Sequence, residues 1–232
     1  MKTIGLLGGT GWESTVEYYK IINQEISESS DHKHSAKIVM FSVDFFEISS
    51  RIDKHDFEGL EKFLTGIAVE IDKDGADCLL ICANTLHMFA EKISERISIP
   101  LIHIADATAS AIKEKNIFKV GLLGTIPTME FPFYKNRLKE KHGIDVIVPT
   151  DKERRYIQKT ILGDFFQGKF TDETRKQFLN IMDNLSAQGA EGIILGCTEI
   201  PLLVNQKDTA IPLFDTLKIH AHAAVDFVLS SE

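Results

Sequence analysis

Short runs of consecutive apolar residues alternate along this chain with longer stretches in which apolar residues recur every three or four positions. The short runs predict strands over 3–7, 37–43, 78–81, 101–104, 120–123, 145–148, 192–195 and 211–214. The longer stretches predict helices over 13–27, 57–74, 87–97, 106–116, 129–142, 153–167, 172–188 and 216–229. Near-continuous apolar strands alternating with helices read as an α/β fold, with mostly parallel sheets covered on both faces.

The pattern also repeats. Gly5-Leu6-Leu7-Gly8 returns as Gly121-Leu122-Leu123-Gly124, Gly75-Ala76-Asp77 as Gly189-Ala190-Glu191, and Ile99-Pro100-Leu101 as Ile211-Pro212-Leu213. The offsets are 116, 114 and 112, close to half of the 232 residues. A repeat this long means two similar lobes rather than a solenoid. The first is expected over residues 1–105 and the second over 106–215, with the last helix, 216–232, crossing back onto the first. No Pro/Gly linker separates them, so a packed cleft between lobes is expected.

Ligands of such sheets bind outside the carboxyl ends of the strands, and the polar motifs fall there. Gly8-Gly9-Thr10-Gly11 follows the first strand and Gly124-Thr125 its counterpart. Cys82-Ala83-Asn84-Thr85 and Gly196-Cys197-Thr198-Glu199 follow the third strand of each half. Pro201 suits the first turn of a helix, so Cys197 is expected at a helix N-terminus, with a lowered pKa and amides ready for a carboxylate. The other reading of such a thiol is an inert core residue. Sliding one copy onto the other by 114 sets Gly196 on Cys82 and Cys197 on Ala83, so the first thiol is one residue early.

Gly9-x-Gly11-x-x-Ser14 resembles a degraded dinucleotide loop, with Asp44 where a ribose-binding carboxylate would sit. Trp12 is too bulky for a pyrophosphate site, and a backbone nest for a small anion is the better reading. Cys78, Cys82 and His87 match no common zinc spacing, so neither metal nor organic cofactor is expected. His103 is read as a cleft-lining or a structural residue, and His220 and His222, two apart, point in different directions.

A net charge of −8 and a pI near 5.5 argue against a nucleic-acid or anionic-membrane surface. An anionic substrate therefore needs locally placed cations, for which Arg51 and Lys169 are the candidates. No apolar run reaches the length of a membrane helix. The N-terminus passes straight into a strand, so no signal peptide is expected. Three cysteines, two of them four apart, suit a reducing cytoplasm better than disulfides.

Gly-Leu-Leu-Gly-Gly-Thr-Gly-Trp-Glu-Ser-Thr at 5–15, Cys-Ala-Asn-Thr-Leu-His at 82–87 and Gly-Cys-Thr-Glu-Ile at 196–200 together resemble the aspartate/glutamate racemase family, over nearly the whole chain. The resemblance implies two Rossmann-like lobes related by a pseudo-twofold, with the active site in the cleft between them. It implies cofactor-independent racemisation of aspartate or glutamate, one cysteine removing the α-proton and another reprotonating the opposite face. Cys197 inherits the catalytic role from a fully matching motif. Many members carry Cys directly before Asn-Thr and one branch carries Thr; here that position is Ala83, and Cys82 is the candidate second thiol.

The chemistry asks for the same parts. A carbanion needs preorganised donors, for which Thr10, Asn84, Thr85, Thr125, Thr198 and Glu199 are the substrate-binding candidates. Inversion needs an acid–base group on each face with a pKa near the working pH. The expected partners are a small amino-acid substrate and a second copy of the chain as a homodimer. The alternatives are a one-thiol decarboxylase or isomerase of small dicarboxylates, and a binding protein whose catalytic pair has decayed.

Overall fold

A computed structural model describes residues 1–230. The chain divides into two compact units. Unit 1 comprises Met1–Ile104 and the segment from His220 onward; unit 2 is the continuous stretch Ala105–Ile219.

Unit 1 is built on strands β1 (Thr3–Gly8), β2 (Lys37–Ser42) and β3 (Cys78–Ile81), all parallel, in the order β2-β1-β3. Helix α1 (Trp12–Ser29) links β1 to β2. Helices α2 (Phe45–Asp53) and α3 (Phe57–Lys73) lead to β3, and a 3₁₀ turn (Thr85–Phe89) with helix α4 (Ala90–Ser94) follows it. The spacing of Leu60, Leu64, Ile67, Ala68 and Ile71 gives α3 one apolar stripe, and all five are buried. That stripe joins Leu7, Leu79, Ile81 and Ile93 in one core, each large side chain contributing about 1.5–3 kcal/mol by its burial. Asp56 starts α3 by accepting the Gly59 N–H.

Unit 2 begins with helix α5 (Ile104–Glu114), whose first residue belongs to unit 1. Its sheet comprises β4 (Lys119–Gly124), β5 (Asp145–Ile147), β6 (Gly192–Gly196) and β7 (Leu213–Asp215), all parallel, in the order β5-β4-β6-β7. Helices α6 (Ile126–Glu130), α7 (Pro132–His142), α8 (Asp151–Leu162), α9 (Asp172–Ala187) and α10 (Ile200–Leu203) connect them. The last helix, α11 (Thr216–Leu229), starts in unit 2 and continues in unit 1.

The repeat is visible bond by bond. Asp77 N–H donates to Thr3 O at 2.7 Å, and Glu191 N–H to Lys119 O at 2.8 Å. Leu79 N–H donates to Pro100 O at 2.9 Å, and Ile193 N–H to Pro212 O at 2.8 Å. Gly75 and Gly189 end the preceding helices at φ +85° and +93°, a left-handed conformation that favours glycine.

Five elements differ from the pattern reading. The helix expected over 87–97 resolves into the 3₁₀ turn Thr85–Phe89 and the short α4, Ala90–Ser94. The strand expected over 101–104 shrinks to a single bridge, Leu79 to Leu101, because α5 already starts at Ile104. The helix expected over 129–142 breaks at Phe131, held at ψ 148° by the following Pro132. The helix expected over 153–167 stops at Leu162, before Gly163 and a 3₁₀ turn. Helix α2 was not anticipated. Asp44, considered above as a ribose ligand, caps it by accepting the Phe46 N–H at 3.0 Å.

Candidate active site

In unit 1 the turn after β1 is shaped by Gly9, at φ +84°. A Cβ there would fall on the backbone of Val43, and Val43 N–H donates to Gly8 O at 3.0 Å. Thr15 closes the turn, its Oγ1 accepting from Gly9 N–H at 2.9 Å and donating to Gly11 O at 3.3 Å. One amide of the expected anion nest is thereby already spent. Thr10 Oγ1 is buried with no partner among the described residues, which leaves one hydroxyl at this strand end for a ligand.

β1 and β3 pair Leu7 with Ile81, and β4 and β6 pair Leu123 with Leu195. Cys82 therefore stands where the second copy has Gly196, and Ala83 where it has Cys197. Cys82 is 1% exposed, its N–H donating to Leu7 O at 2.9 Å, and burial pushes its thiol pKa well up. Cys78, inside β3, is pushed up to about 12, mainly by burial. Asn84 is buried at the strand end and Thr85 opens the 3₁₀ turn.

The loop carrying Ala83 and Asn84 rests on a histidine network that the sequence reading did not find. His87 Nδ1–H donates to Ala83 O at 2.8 Å, and Ile104 N–H donates to His87 Nε2 at 3.2 Å. The ring is thus neutral, with its proton on Nδ1. His103 and His220 lie against it, at 4.7 and 5.4 Å between ring centroids. His220 Nε2–H donates to Ile102 O at 2.7 Å, and its Nδ1 accepts from the Tyr18 hydroxyl at 2.8 Å. Burial lowers the His220 pKa to about 4, against a smaller opposing effect of the Ile102 carbonyl. Of His220 and His222, read above as diverging, only the first enters this core; His222 pairs with Glu25.

In unit 2, Gly124 and Gly196 are opposite partners at the ends of β4 and β6. A Cβ on Gly124 would lie 2.8 Å from Gly196 O, and one on Gly196 2.8 Å from Leu123 O, so both glycines are needed for the close approach. Thr125 and Cys197 emerge side by side from this pair. Thr125 Oγ1 is 3.0 Å from Thr128 Oγ1. Cys197 is 9% exposed, and its Sγ donates to Glu199 Oε2 at 2.9 Å. Thr198 Oγ1 donates to the same oxygen at 2.9 Å.

This geometry corrects one expectation. The Cys197 pKa lies well above the usual thiol value, not below it. Burial is the largest cause and the Glu199 carboxylate adds to it, while the amides of Glu199 and Thr198 pull the other way. The following helix is a single turn, Ile200–Leu203, too short to supply much of a dipole.

Arg51 lies in the last turn of α2, donates to Glu47 O and stacks over Phe63 at 4.4 Å. Lys169 follows the 3₁₀ turn of unit 2 and donates to Gln167 Oε1 at 2.7 Å. Thr10, Cys82, Asn84 and Thr85 thus gather at the sheet end of unit 1, and Thr125, Cys197, Thr198 and Glu199 at that of unit 2.

A family model described as Asp/Glu/Hydantoin racemase matches residues 7–224. A Yersinia pestis protein solved as a candidate Asp/Glu racemase is 45% identical, covering 99% of this chain and 100% of its own, with a TM-score of 0.94. An aspartate racemase homologue from Pyrococcus horikoshii OT3 is 31% identical, covering 99% of this chain and 100% of its own, with a TM-score of 0.86. A broad specificity amino-acid racemase of Bacillus subtilis (strain 168) is 26% identical over 98% of both chains.

Proposed function

From the premise that the chain belongs to the Asp/Glu/Hydantoin racemase family, we propose that it racemises aspartate or glutamate by proton transfer at the α-carbon, with Cys197 as the acid–base group. The observation that carries this reading is the Cys197 thiol, hydrogen-bonded to Glu199 Oε2 at the end of β6. Glu199 accepts the thiol proton and leaves a thiolate facing the amides of Thr198 and Glu199. The thiolate removes the substrate α-proton and becomes a thiol again, and the electron pair passes to the α-carboxylate. Hydroxyls and amides of Thr10, Asn84, Thr85, Thr125 and Thr198 hold that carboxylate and the amine, stabilising charge as it develops.

The opposite face of the carbon is left to Cys82, whose burial raises its thiol pKa and disfavours the thiolate. Racemisation has an equilibrium constant of one, so kcat/KM for inversion is equal in both directions. Exchange of the α-proton with solvent is not bound by that equality. Exchange at the Cys197 face therefore outruns inversion. Arg51 and Lys169 form no ion pair among the described residues, which supports a role for these cations in holding a side-chain carboxylate.

The test is incubation of the purified chain in heavy water with each enantiomer of aspartate, glutamate and a panel of neutral amino acids. Proton NMR follows loss of the α-proton, and chiral chromatography follows inversion. The expected result is exchange faster than inversion, from one enantiomer of an acidic amino acid, abolished by Cys197→Ala. Absence of exchange across the panel, or exchange indifferent to Cys197→Ala, overturns the reading.

A further inference from the structure

Two side chains of α8 grip the two ends of α6. Helix α6 is five residues long, Ile126–Glu130, too short to hold its shape unaided. At its first residue, Ile126 N–H donates to Gln158 Oε1 at 2.7 Å. At its last, Glu130 Oε1 accepts from Arg154 Nε at 2.8 Å. Arg154 and Gln158 are four apart, so they stand on one face of α8. That helix is itself firmly set. Thr150 and Glu153 form a capping box at its start, and Ile157, Thr160 and Ile161 are buried. Glu153 also accepts from Asn184 Nδ2 of α9 at 2.9 Å, and Arg154 Nη1 donates to Pro149 O at 2.6 Å.

The grip at Ile126 falls on the peptide unit that begins at Thr125. Thr125 O accepts from Met129 N–H at 3.0 Å. With Gln158 on the N–H, the Thr125–Ile126 peptide is bonded at both ends. A planar peptide held by both its polar groups fixes ψ of Thr125, at 160°. The side chain then keeps only its rotation about χ1, which is restricted in a β-branched residue. The bond from Met129 is one that any turn of helix makes within itself, whereas the bond to Gln158 comes from outside. Pro127, next in the chain, has no N–H to share that task.

We propose that Gln158 is a positioning residue of the reaction, acting through Thr125 rather than on the substrate. Thr125 emerges beside Cys197 from the Gly124–Gly196 pair. A hydroxyl fixed in advance meets the substrate without reorganising, which is what makes such a donor effective. Arg154 supports the same placement by anchoring the far end of α6. The reaction that Thr125 serves rests on the racemase reading; the fixing of Thr125 rests on the hydrogen bonds alone.

The experiment combines amide hydrogen exchange of the full chain, read by NMR, with α-proton exchange from the best amino-acid substrate. Gln158→Met keeps the reach of the side chain and loses the acceptor; Gln158→Ala serves if that variant fails to fold. The expected result is that Ile126 N–H exchanges about tenfold faster, as the loss of one hydrogen bond implies, while the amides of β4 and β6 keep their wild-type rates. Gln158→Glu, which keeps an oxygen at the same reach, should retain the protection. In Gln158→Met, kcat/KM for α-proton exchange should fall about tenfold. Made together with Thr125→Val, the same substitution should cost less than about twofold further, because no hydroxyl is left to place. A loss of equal size with and without the Thr125 hydroxyl overturns the positioning role. Ile126 protection unchanged by Gln158→Met overturns the grip itself. A wild type that exchanges no α-proton overturns the racemase reading and the role in the reaction together, and the Ile126 amide still decides the grip.

Discussion

Replacing His220 with Leu tests the histidine network beneath the Cys82 loop. At pH 7.5 the variant leaves the Ile102 carbonyl and the Tyr18 hydroxyl without the ring they now share. Two buried groups left unpaired cost about 3 kcal/mol together. The wild-type ring also has a pH signature. Its pKa is near 6.5 when exposed and about 4 when folded, so between those values the unfolded chain binds more protons. Stability is then fully present above pH 6.5 and is lost as pH falls from 6.5 to 4. By pH 4.5 the wild type has lost about 2.5 kcal/mol through this one group, from linkage at 1.36 kcal/mol per pH unit. Leucine has nothing to protonate, so the gap between wild type and variant should nearly close. Carboxylates away from residue 220 are common to both proteins and cancel in the difference. The assay is urea unfolding followed by Trp12 fluorescence, which reports on unit 1, at pH 7.5 and 4.5 and one fixed protein concentration. A gap that is the same at both pH values refutes the claim that burial holds His220 neutral.

Glu199→Gln removes the charge that adds to burial in raising the Cys197 pKa, so iodoacetamide should alkylate Cys197 faster at pH 8; mass-mapped labelling at an unchanged or lower rate contradicts this. Cys82→Ala should leave solvent exchange of the α-proton within about twofold of wild type and cost about 1–2 kcal/mol of stability. Ala83→Cys should raise inversion by about tenfold or more, as judged by chiral chromatography, because it sets a thiol at the position matching Cys197.

Much of the architecture was legible because the strand-end glycines and the helix-ending Gly75 and Gly189 are conformational requirements that the sequence states twice. The one-residue offset of Cys82 was legible too, since strand pairing only repeats what sliding the copies by 114 had shown. The break at Phe131 was signalled by Pro132 and overridden by the apolar spacing around it. Helix α2 stayed hidden because Asp44 and the two phenylalanines after it read as the end of a strand. The direction of the Cys197 shift could not be read, because it depends first on how deeply the sulfur is buried and then on how Glu199 folds back over it. The histidine network joins residues 18, 87, 102 and 220, and no local pattern announces contacts between positions so far apart.

The division of the chain has a consequence for its biosynthesis. Unit 2 is continuous, whereas unit 1 is closed by the segment from His220 onward. At about 5–20 residues per second, synthesis of the intervening stretch takes on the order of ten seconds. Through that interval the nascent first half has its sheet and the stripe of α3, but Tyr18 and Ile102 have no imidazole to bond. The unit that is second in the sequence can therefore finish folding before the first. The first becomes complete only after residues 220–227 have left the ribosome, when His220 reaches Tyr18 and Ile102 and Lys2 reaches the Phe227 carbonyl.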